Sequence, residues 1–527
     1  MIMNKKDERA KLLRDSIGKM ARSKEAVIEA NAIPEPTHNM VGGGIGYKLE
    51  DKLHLLTILN TYMLQDTYYK SATEFLAEFS ELISKIALAD PEFIAKAIVY
   101  SRCHASGLRT INQVASVLAL PFLAGTSYAK LLYSSFDKKN KKGGMIYRPD
   151  DMKAILDTYK TLGGKGVMPN SMKKAFRKAI EGLDTYSLLK YKKDIIDVAN
   201  LVHPNPNNSN ATVEVDGEKI PTITAIMRGA KVSADTWEVG LSDVGQVVKE
   251  FELSDEEKAE ALKQGKNAVF SDLLKENKLG YLAAIRNINN IVNNDSDGET
   301  TKMLANLISD STMIRKAKIM PQQLANAYLY GNSNPLIRQA LNKAIEGAMA
   351  NFKEAITGNV AIVLDVSGSM GGVRKEAAFI TSILYQALAD RADLYTFAYY
   401  AEMVKPLYND FKMLFDTIIR YFNGYSTNLQ SALDMIRRSG KKYDRIIIIS
   451  DNEANRGNCV DSYKKLITQI NSPKIYSIDL AGYGESSLPI EGKIRLYFGK
   501  TFTMFDDMIR DEFNPTSHIE EVSKIQF

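Results

Sequence analysis

Cysteine is nearly absent from this chain of 527 residues, and the two present, Cys103 and Cys459, stand far apart. That excludes a disulfide framework and a four-cysteine zinc site. Histidine is almost as scarce: His38, His54, His104, His203 and His518 show no H-E-x-x-H or paired spacing, so a zinc-protease pattern is missing. No apolar run approaches the roughly 18 residues of a membrane span. The opening Met1-Ile2-Met3-Asn4-Lys5-Lys6-Asp7 is charged and lacks the apolar stretch of a secretory signal. A cytoplasmic protein without membrane association is expected. Neither sign of charge dominates, since 68 Lys and Arg against 63 Asp and Glu leave +5, which is compatible with a nucleic-acid partner without requiring one. No G-x-S-x-G elbow occurs. Gly42-Gly43-Gly44-Ile45-Gly46 has no Gly-Lys-Ser/Thr after it, so it reads as a flexible approach to the first helix and not as a phosphate loop. With no base, nucleophile pair or cofactor loop in view, the expectation is a binding protein, not an enzyme.

What is present is a polar constellation at strand ends. Ala361-Ile362-Val363-Leu364 is a strand-type run that delivers Asp365, Ser367 and Ser369 onto a glycine-containing turn. Gly424-Tyr425-Ser426-Thr427-Asn428 adds a threonine on a loop, and Ile446-Ile447-Ile448-Ile449-Ser450-Asp451 ends a second strand in an aspartate. Alternating oxygens on a turn suit a hard divalent cation such as Mg²⁺, which takes six oxygens at about 2.1 Å and keeps several waters. Val366-Ser367 stands where an aspartyl phosphatase needs its second Asp. D-x-S-x-S followed by Thr and Asp resembles the metal-ion-dependent adhesion site of von Willebrand factor A domains. The resemblance implies a metal bound by Asp365, Ser367, Ser369, Thr427 and Asp451, with an open position for a partner's oxygen.

From about Thr357 onward the pattern alternates strand and helix. Strands are expected at Val360–Leu364, Ala392–Ala398, Ile446–Ile449 and Lys474–Leu480. Helices are expected at Val373–Leu388, Phe411–Tyr421, Leu429–Arg438 and Ser462–Ile470. Such alternation predicts a doubly wound parallel sheet with its ligand crevice at the carboxyl ends of the strands. The four consecutive isoleucines suit a central parallel strand buried on both faces.

Before Thr357 the chain reads as short amphipathic helices. Examples are Lys52–Met63, Ser71–Ala89, Glu92–His104, Ile111–Ala124, Asp151–Leu162, Leu279–Val292 and Pro321–Leu329. Thr212–Ile220, turning at Asp216-Gly217, is a hairpin. Paired helices over some 300 residues suggest an α-solenoid of the HEAT type, which presents a curved inner surface. The expected organisation is an arm over 1–40, loosely held; a helical-repeat module over 41–356; and an α/β domain over 357–527.

Within the helical part, Lys173, Lys174, Arg177 and Lys178 form one basic stripe opposite Met172, Ala175, Phe176 and Ala179, with Ser171 at the expected cap. Lys190-Tyr191-Lys192-Lys193 follows, and then a helix ending at Leu201-Val202-His203-Pro204. The order Met168-Pro169-Asn170-Ser171-Met172-Lys173-Lys174-Ala175, Lys190-Tyr191-Lys192, His203-Pro204 resembles the TROVE module of Ro-type RNA-binding proteins. So do Leu279-Gly280-Tyr281-Leu282-Ala283-Ala284-Ile285-Arg286-Asn287-Ile288, Lys318-Ile319-Met320-Pro321-Gln322-Gln323-Leu324 and Thr67-Tyr68-Tyr69. A helical module followed by an A domain with a filled metal motif is that family's own order.

The resemblance implies a monomeric ring of helical repeats with a basic inner wall, its two ends joined by the A domain. It implies misfolded non-coding RNAs threaded by a single-stranded 3′ end, Y-like RNAs on the outer surface, a role in RNA quality control, and an exoribonuclease as possible partner. Lys190 and His203 match outer-surface contacts. The segment between them is shorter than in the family, and Lys193 stands in for an arginine. Arg286 and the Lys173 stripe are the inner-wall candidates. Lysine and arginine on phosphates give salt-dependent, largely sequence-independent binding. The competing reading is a metal-dependent protein-interaction scaffold acting through the A domain without RNA.

Overall fold

The computed structural model describes residues 22, 24–162, 168–234, 236–317, 319, 321–331, 334–406, 411–499 and 503–527. Most of the expected arm (1–21 and 23) lies outside the described residues, as do Lys165, Gly166, Val167, Lys318 and Met320.

Helices fill the chain from Asp51 to Ala355, and neighbours pack in pairs: Ala72–Ala89 on Thr110–Leu123, Asn170–Glu181 on Lys192–Val202, Trp237–Lys249 on Asp255–Lys275, and Glu299–Ile308 on Pro335–Ala355. Local chemistry sets their starts. Ser71 accepts the Glu74 amide while Glu74 takes the Ser71 amide, and Ser254 and Glu257 repeat this capping box. Phe75, Phe79, Leu82, Ile83 and Ile86 then form the buried stripe of the first of these helices. The hairpin forms as expected, with Thr212–Val215 against Glu218–Pro221 and both Asp216 and Gly217 at positive φ.

Three local expectations are corrected. The basic helix begins at Asn170, after Pro169, so Ser171 lies inside it and caps nothing. Leu279–Val292 is two helices, Tyr281–Arg286 and Ile288–Asn294. At the break, the Asn287 side chain donates to the Ala283 carbonyl at 3.0 Å, competing with the helix for its own backbone. Pro91–Val99 continues as one π-helical turn, Tyr100–His104, which turns Arg102 inward onto Asp151 at 3.0 Å.

The second part is a six-stranded sheet ordered Ile494–Phe498, Lys474–Asp479, Arg445–Ser450, Val360–Asp365, Ala392–Phe397, Ala401–Val404. The first five are parallel, and Ala401–Val404 is an antiparallel edge strand. Sequence reading missed that edge and the Ile494–Phe498 strand. Val360–Asp365 and Arg445–Ser450 are adjacent, and the chain leaves them toward opposite edges. They therefore flank the topological switch point, where open α/β sheets bind ligands.

The sheet ties both ends of the helical part together. Tyr483, Leu496, Phe498, Val522 and Ile525 join the core of the helices from Asp51 to Met227. Ile362, Leu364, Ile447 and Ile449 join the core of Phe270–Ile356. Residues 24–40 are not loosely held, contrary to expectation. Ala30 and Met40 belong to the core on the sheet's other face, Glu29 pairs with Lys493 at 3.0 Å, and Ile45–Lys48 pairs with Glu485–Ser486. Gly44 and Gly46 are required by close approach. A Cβ on Gly44 would overlap the Ala454 carbonyl, and one on Gly46 the Met40 sulfur. Among the described residues no helix is long and apolar enough to cross a membrane.

Candidate metal centre and basic cavity

The two strand ends at the switch point are joined directly. Ser450 donates its hydroxyl to Asp365 Oδ2 at 2.7 Å, and the Ser367 amide donates to Asp365 Oδ1 at 2.9 Å. Ser367 and Ser369 hydroxyls lie 3.1 Å apart. The Glu453 amide holds Asp451 Oδ1 at 3.1 Å. The Gly424–Asn428 loop reaches in because its backbone can come close: the Gly424 amide donates to Val366 O at 3.3 Å, and a Cβ there would overlap Ala398. Thr427 is clamped to the loop after Asp451, its amide donating to Asn455 Oδ1 at 3.0 Å and its carbonyl accepting the Asn455 amide at 3.0 Å.

Asp365, Ser367, Thr427 and Asp451 are buried, and Ser369 is half-exposed. Burial pushes the Asp365 carboxyl up, with hydrogen bonds from Ser367 and Ser450 pulling the other way. Burial, and then the neighbouring Asp365 charge, push the Asp451 carboxyl up as well. Asp451 Oδ2 is buried with no hydrogen-bond partner among the described residues. Two buried carboxylates that repel one another, one with an unsatisfied oxygen, beside hydroxyls from two further turns, fit a hard cation. No group of three or more His, Cys, Asp or Glu side chains that could hold a metal occurs among the described residues, so a metal here draws on the Ser and Thr hydroxyls. Tyr425, 98% exposed, lies on the same loop as Thr427, and Arg456 stands 5.0 Å over the ring of Tyr399, which packs edge-on to Tyr400.

The RNA candidates fall on two surfaces. Lys173, Lys174, Arg177 and Lys178 lie on Asn170–Glu181, opposite the buried Met172, Ala175, Phe176 and Ala179 as expected. Arg177 donates to Val202 O at 2.7 Å, so it braces the neighbouring helix end. Lys190 closes Thr185–Lys190, Lys193 opens Lys192–Val202, and His203 caps that helix in the left-handed conformation. Lys190 sits over the rings of Tyr186 and Tyr191. Burial lowers its pKa, but the Tyr186 hydroxyl overrides this and the net direction is upward.

Arg286 stands apart from these. It lines a cavity of about 390 Å³ with Arg102, Arg109, Arg148 and Tyr147, so residues from both ends of the helical part meet there. The Lys173 stripe does not line it. Asp150 and Asp151 hold three of these arginines: Arg109 pairs with both, Arg102 with Asp151 and Arg148 with Asp150. Arg286 is exposed and makes no ion pair among the described residues. Sequence reading missed Arg102, Arg109 and Arg148, which come from separated segments with no shared spacing.

No protein-family profile and no curated protein matches the chain. Among solved structures it is similar to the Ro (RSR) protein of Deinococcus radiodurans, at 15% identity over 88% of this chain and 100% of that chain, with a TM-score of 0.53. The chain therefore has a Ro-like fold. It also resembles proximal thread matrix protein 1 from the mussel byssus, at 14% identity over 30% of this chain and 48% of that one. The TM-score there, 0.24, is too low to bear on fold or function.

Proposed function

We propose, from this Ro-like fold, that the protein is an RNA-binding ring and not an enzyme. In this reading residues 41–356 form the helical-repeat ring and 357–527 an A-type domain that closes it and carries Mg²⁺, or another divalent cation, on Asp365, Ser367, Ser369, Thr427 and Asp451. The observation that carries the reading is the arginine-lined cavity, where Arg286 from one end of the helical part faces Arg109 and Arg148 from the other. Cations beside an aromatic ring, here Tyr147, suit a single strand, whose backbone follows the charge and whose bases stack. Lys190, Lys193 and His203 are the outer contact for structured, Y-like RNA, and Lys173, Lys174, Arg177 and Lys178, which lie outside the arginine cavity, add inner-wall phosphate contacts. The substrates are non-coding RNAs with an unpaired 3′ end, and the role is quality control or the tethering of an exoribonuclease in the cytoplasm.

The test is a comparison of two duplexes, one blunt and one with a single-stranded 3′ tail. The tailed RNA should bind at least tenfold more tightly, since each stacked base adds about 1–3 kcal/mol. Arg286→Ala should erase most of that advantage and spare blunt-duplex binding. Equal affinity for the two RNAs would refute threading.

A second reading, a metal-dependent protein scaffold, is favoured by the exposed Tyr425, Tyr399 and Tyr400 beside Arg456, because tyrosine and arginine are enriched at interface hot spots. A salt titration separates the two: RNA affinity that falls steeply with salt supports the ring, and no RNA binding at low salt leaves the scaffold.

A further inference from the structure

The candidate metal pocket and the basic cavity share a wall. Tyr62 and Met63, which follow the helix Asp51–Thr61, line both. On one side lies the cavity with Arg109, Arg148 and Arg286. On the other is a pocket of about 240 Å³ bounded by Gly368, Ser369 and Tyr68. The dividing ridge is fixed: Tyr62 is buried, stacked on Phe75 at 3.7 Å, and its hydroxyl donates to Gln65 O at 2.9 Å. Met63, its neighbour, is 44% exposed and forms the crest. Of the five candidate metal ligands only Ser369 lines this pocket, and it is also the one not buried. The least buried of the five candidate ligands thus lines a pocket that adjoins the arginine cavity across Tyr62 and Met63.

We infer that a single RNA strand held in the basic cavity crosses Met63 and places one phosphate oxygen on the cation at the Asp365–Asp451 site. This rests on the RNA-binding and cation readings above and adds a coupling between them. A hard cation held by one or two carboxylates keeps waters that phosphate oxygens readily replace, which is the usual arrangement of Mg²⁺ at nucleotide sites. Without the cation, Asp365 and Asp451 offer an approaching phosphate oxygen no favourable contact. With it, they present a Lewis-acidic position. Tyr68, 65% exposed at the pocket's edge, offers a face on which a base beside that phosphate can stack. Cation and strand therefore raise one another's affinity by the same factor.

The experiment uses the full chain and a labelled 3′-tailed oligoribonucleotide, titrated at constant ionic strength in Mg²⁺ and in EDTA. Mg²⁺ should tighten tail binding about tenfold, within the usual range of coupling between sites. The same oligonucleotide should tighten Mn²⁺ binding equally, read by the spin resonance of free Mn²⁺. Replacing one non-bridging phosphate oxygen of the tail by sulfur should weaken binding in Mg²⁺ and restore it in Mn²⁺ or Cd²⁺. That recovery arises only from direct coordination. In Ser369→Ala and Asp451→Asn the response to Mg²⁺ should vanish. Tail binding that is equal in Mg²⁺ and EDTA, with no recovery at any sulfur position, overturns the coupling and leaves the RNA-binding reading intact. A Mg²⁺ effect of the same size in Asp451→Asn places the cation on the RNA itself and overturns it too. No tail binding under any condition overturns both readings.

Discussion

Replacing Asp451 by asparagine should make the protein more stable without a cation and less stable with one. In the cation-free protein Asp365 and Asp451 are buried together, and Asp451 Oδ2 has no hydrogen-bond partner among the described residues. Burial raises both carboxyls, and Asp365 raises Asp451 further. A carboxyl whose folded pKa lies above its unfolded one costs nothing below the ordinary range near 4, where both states hold the proton. As pH rises through that range the unfolded chain ionises first and the fold loses stability, until the folded pKa is passed. Each unit of upward shift costs about 1.4 kcal/mol. Asparagine keeps the shape and removes one of the two charges, so at pH 8 in EDTA the variant should melt at or above the parent. Saturating Mg²⁺ at about 100 times its dissociation constant adds about 2.7 kcal/mol to the parent. For a unit of 150–250 residues that is about 5–10 °C, and the variant should gain none of it. The two curves should cross between EDTA and Mg²⁺, and the parent's Mg²⁺ gain should shrink as pH falls and protons compete. Calorimetry at pH 5, 7 and 8 measures all of this. A variant that melts several degrees lower in EDTA at pH 8, or keeps the full Mg²⁺ shift, would refute the assignment of these carboxylates to a cation.

Three further outcomes are expected. Lys173→Glu with Lys174→Glu should weaken RNA binding broadly, across unrelated sequences, since phosphate contacts carry no base information, and should lower the salt slope in filter binding by about two. Glu512 is half-buried as a residue, accepts from Arg445 at 2.6 Å and from Lys474 at 2.7 Å, and takes the Tyr476 hydroxyl. Burial raises its carboxyl, but those partners win and bring it down to about 2. Its stabilisation is present above about 4.5 and fades as pH falls toward 2. Glu512→Ala should cost about 3–5 kcal/mol at pH 7 by stranding Arg445, read by urea unfolding, and much less at pH 3. Gly44→Val should drive a side chain into the Ala454 carbonyl, cost about 1–3 kcal/mol, and expose residues 24–49 to limited proteolysis.

The strand ends that carry Asp365 and Asp451 were legible because their grammar is local. D-x-S-x-S is contiguous, and an apolar strand before each aspartate announces where the carboxylate will point. Four of the six strands were legible for the same reason; the two missed, Ala401–Val404 and Ile494–Phe498, are the short edge strands of the sheet. Helix positions were clear and helix ends less so. The break at Asn287 coincides with one side-chain hydrogen bond, and the π-helical turn at Tyr100–His104 carries Arg102 onto Asp151, some fifty positions further along. The arginine cavity was invisible beyond Arg286. Arg102, Arg109 and Arg148 are ordinary residues in their own segments and become a site only when the chain brings two distant regions together. The docking of residues 24–48 was illegible for the same cause, since the partner strand Glu485–Ser486 is two residues long.

That docking bears on how the molecule is made. Ile45–Lys48 leaves the ribosome early, but its partner Glu485–Ser486 comes some 440 residues later, which at about 5–20 residues per second is roughly 20–90 s of translation. For that interval the amino-terminal helices fold with one flank of their core uncovered, because Tyr483, Leu496, Phe498 and Val522 are still to come. Until the segment from Tyr483 to Ile525 arrives, that flank is an open clasp.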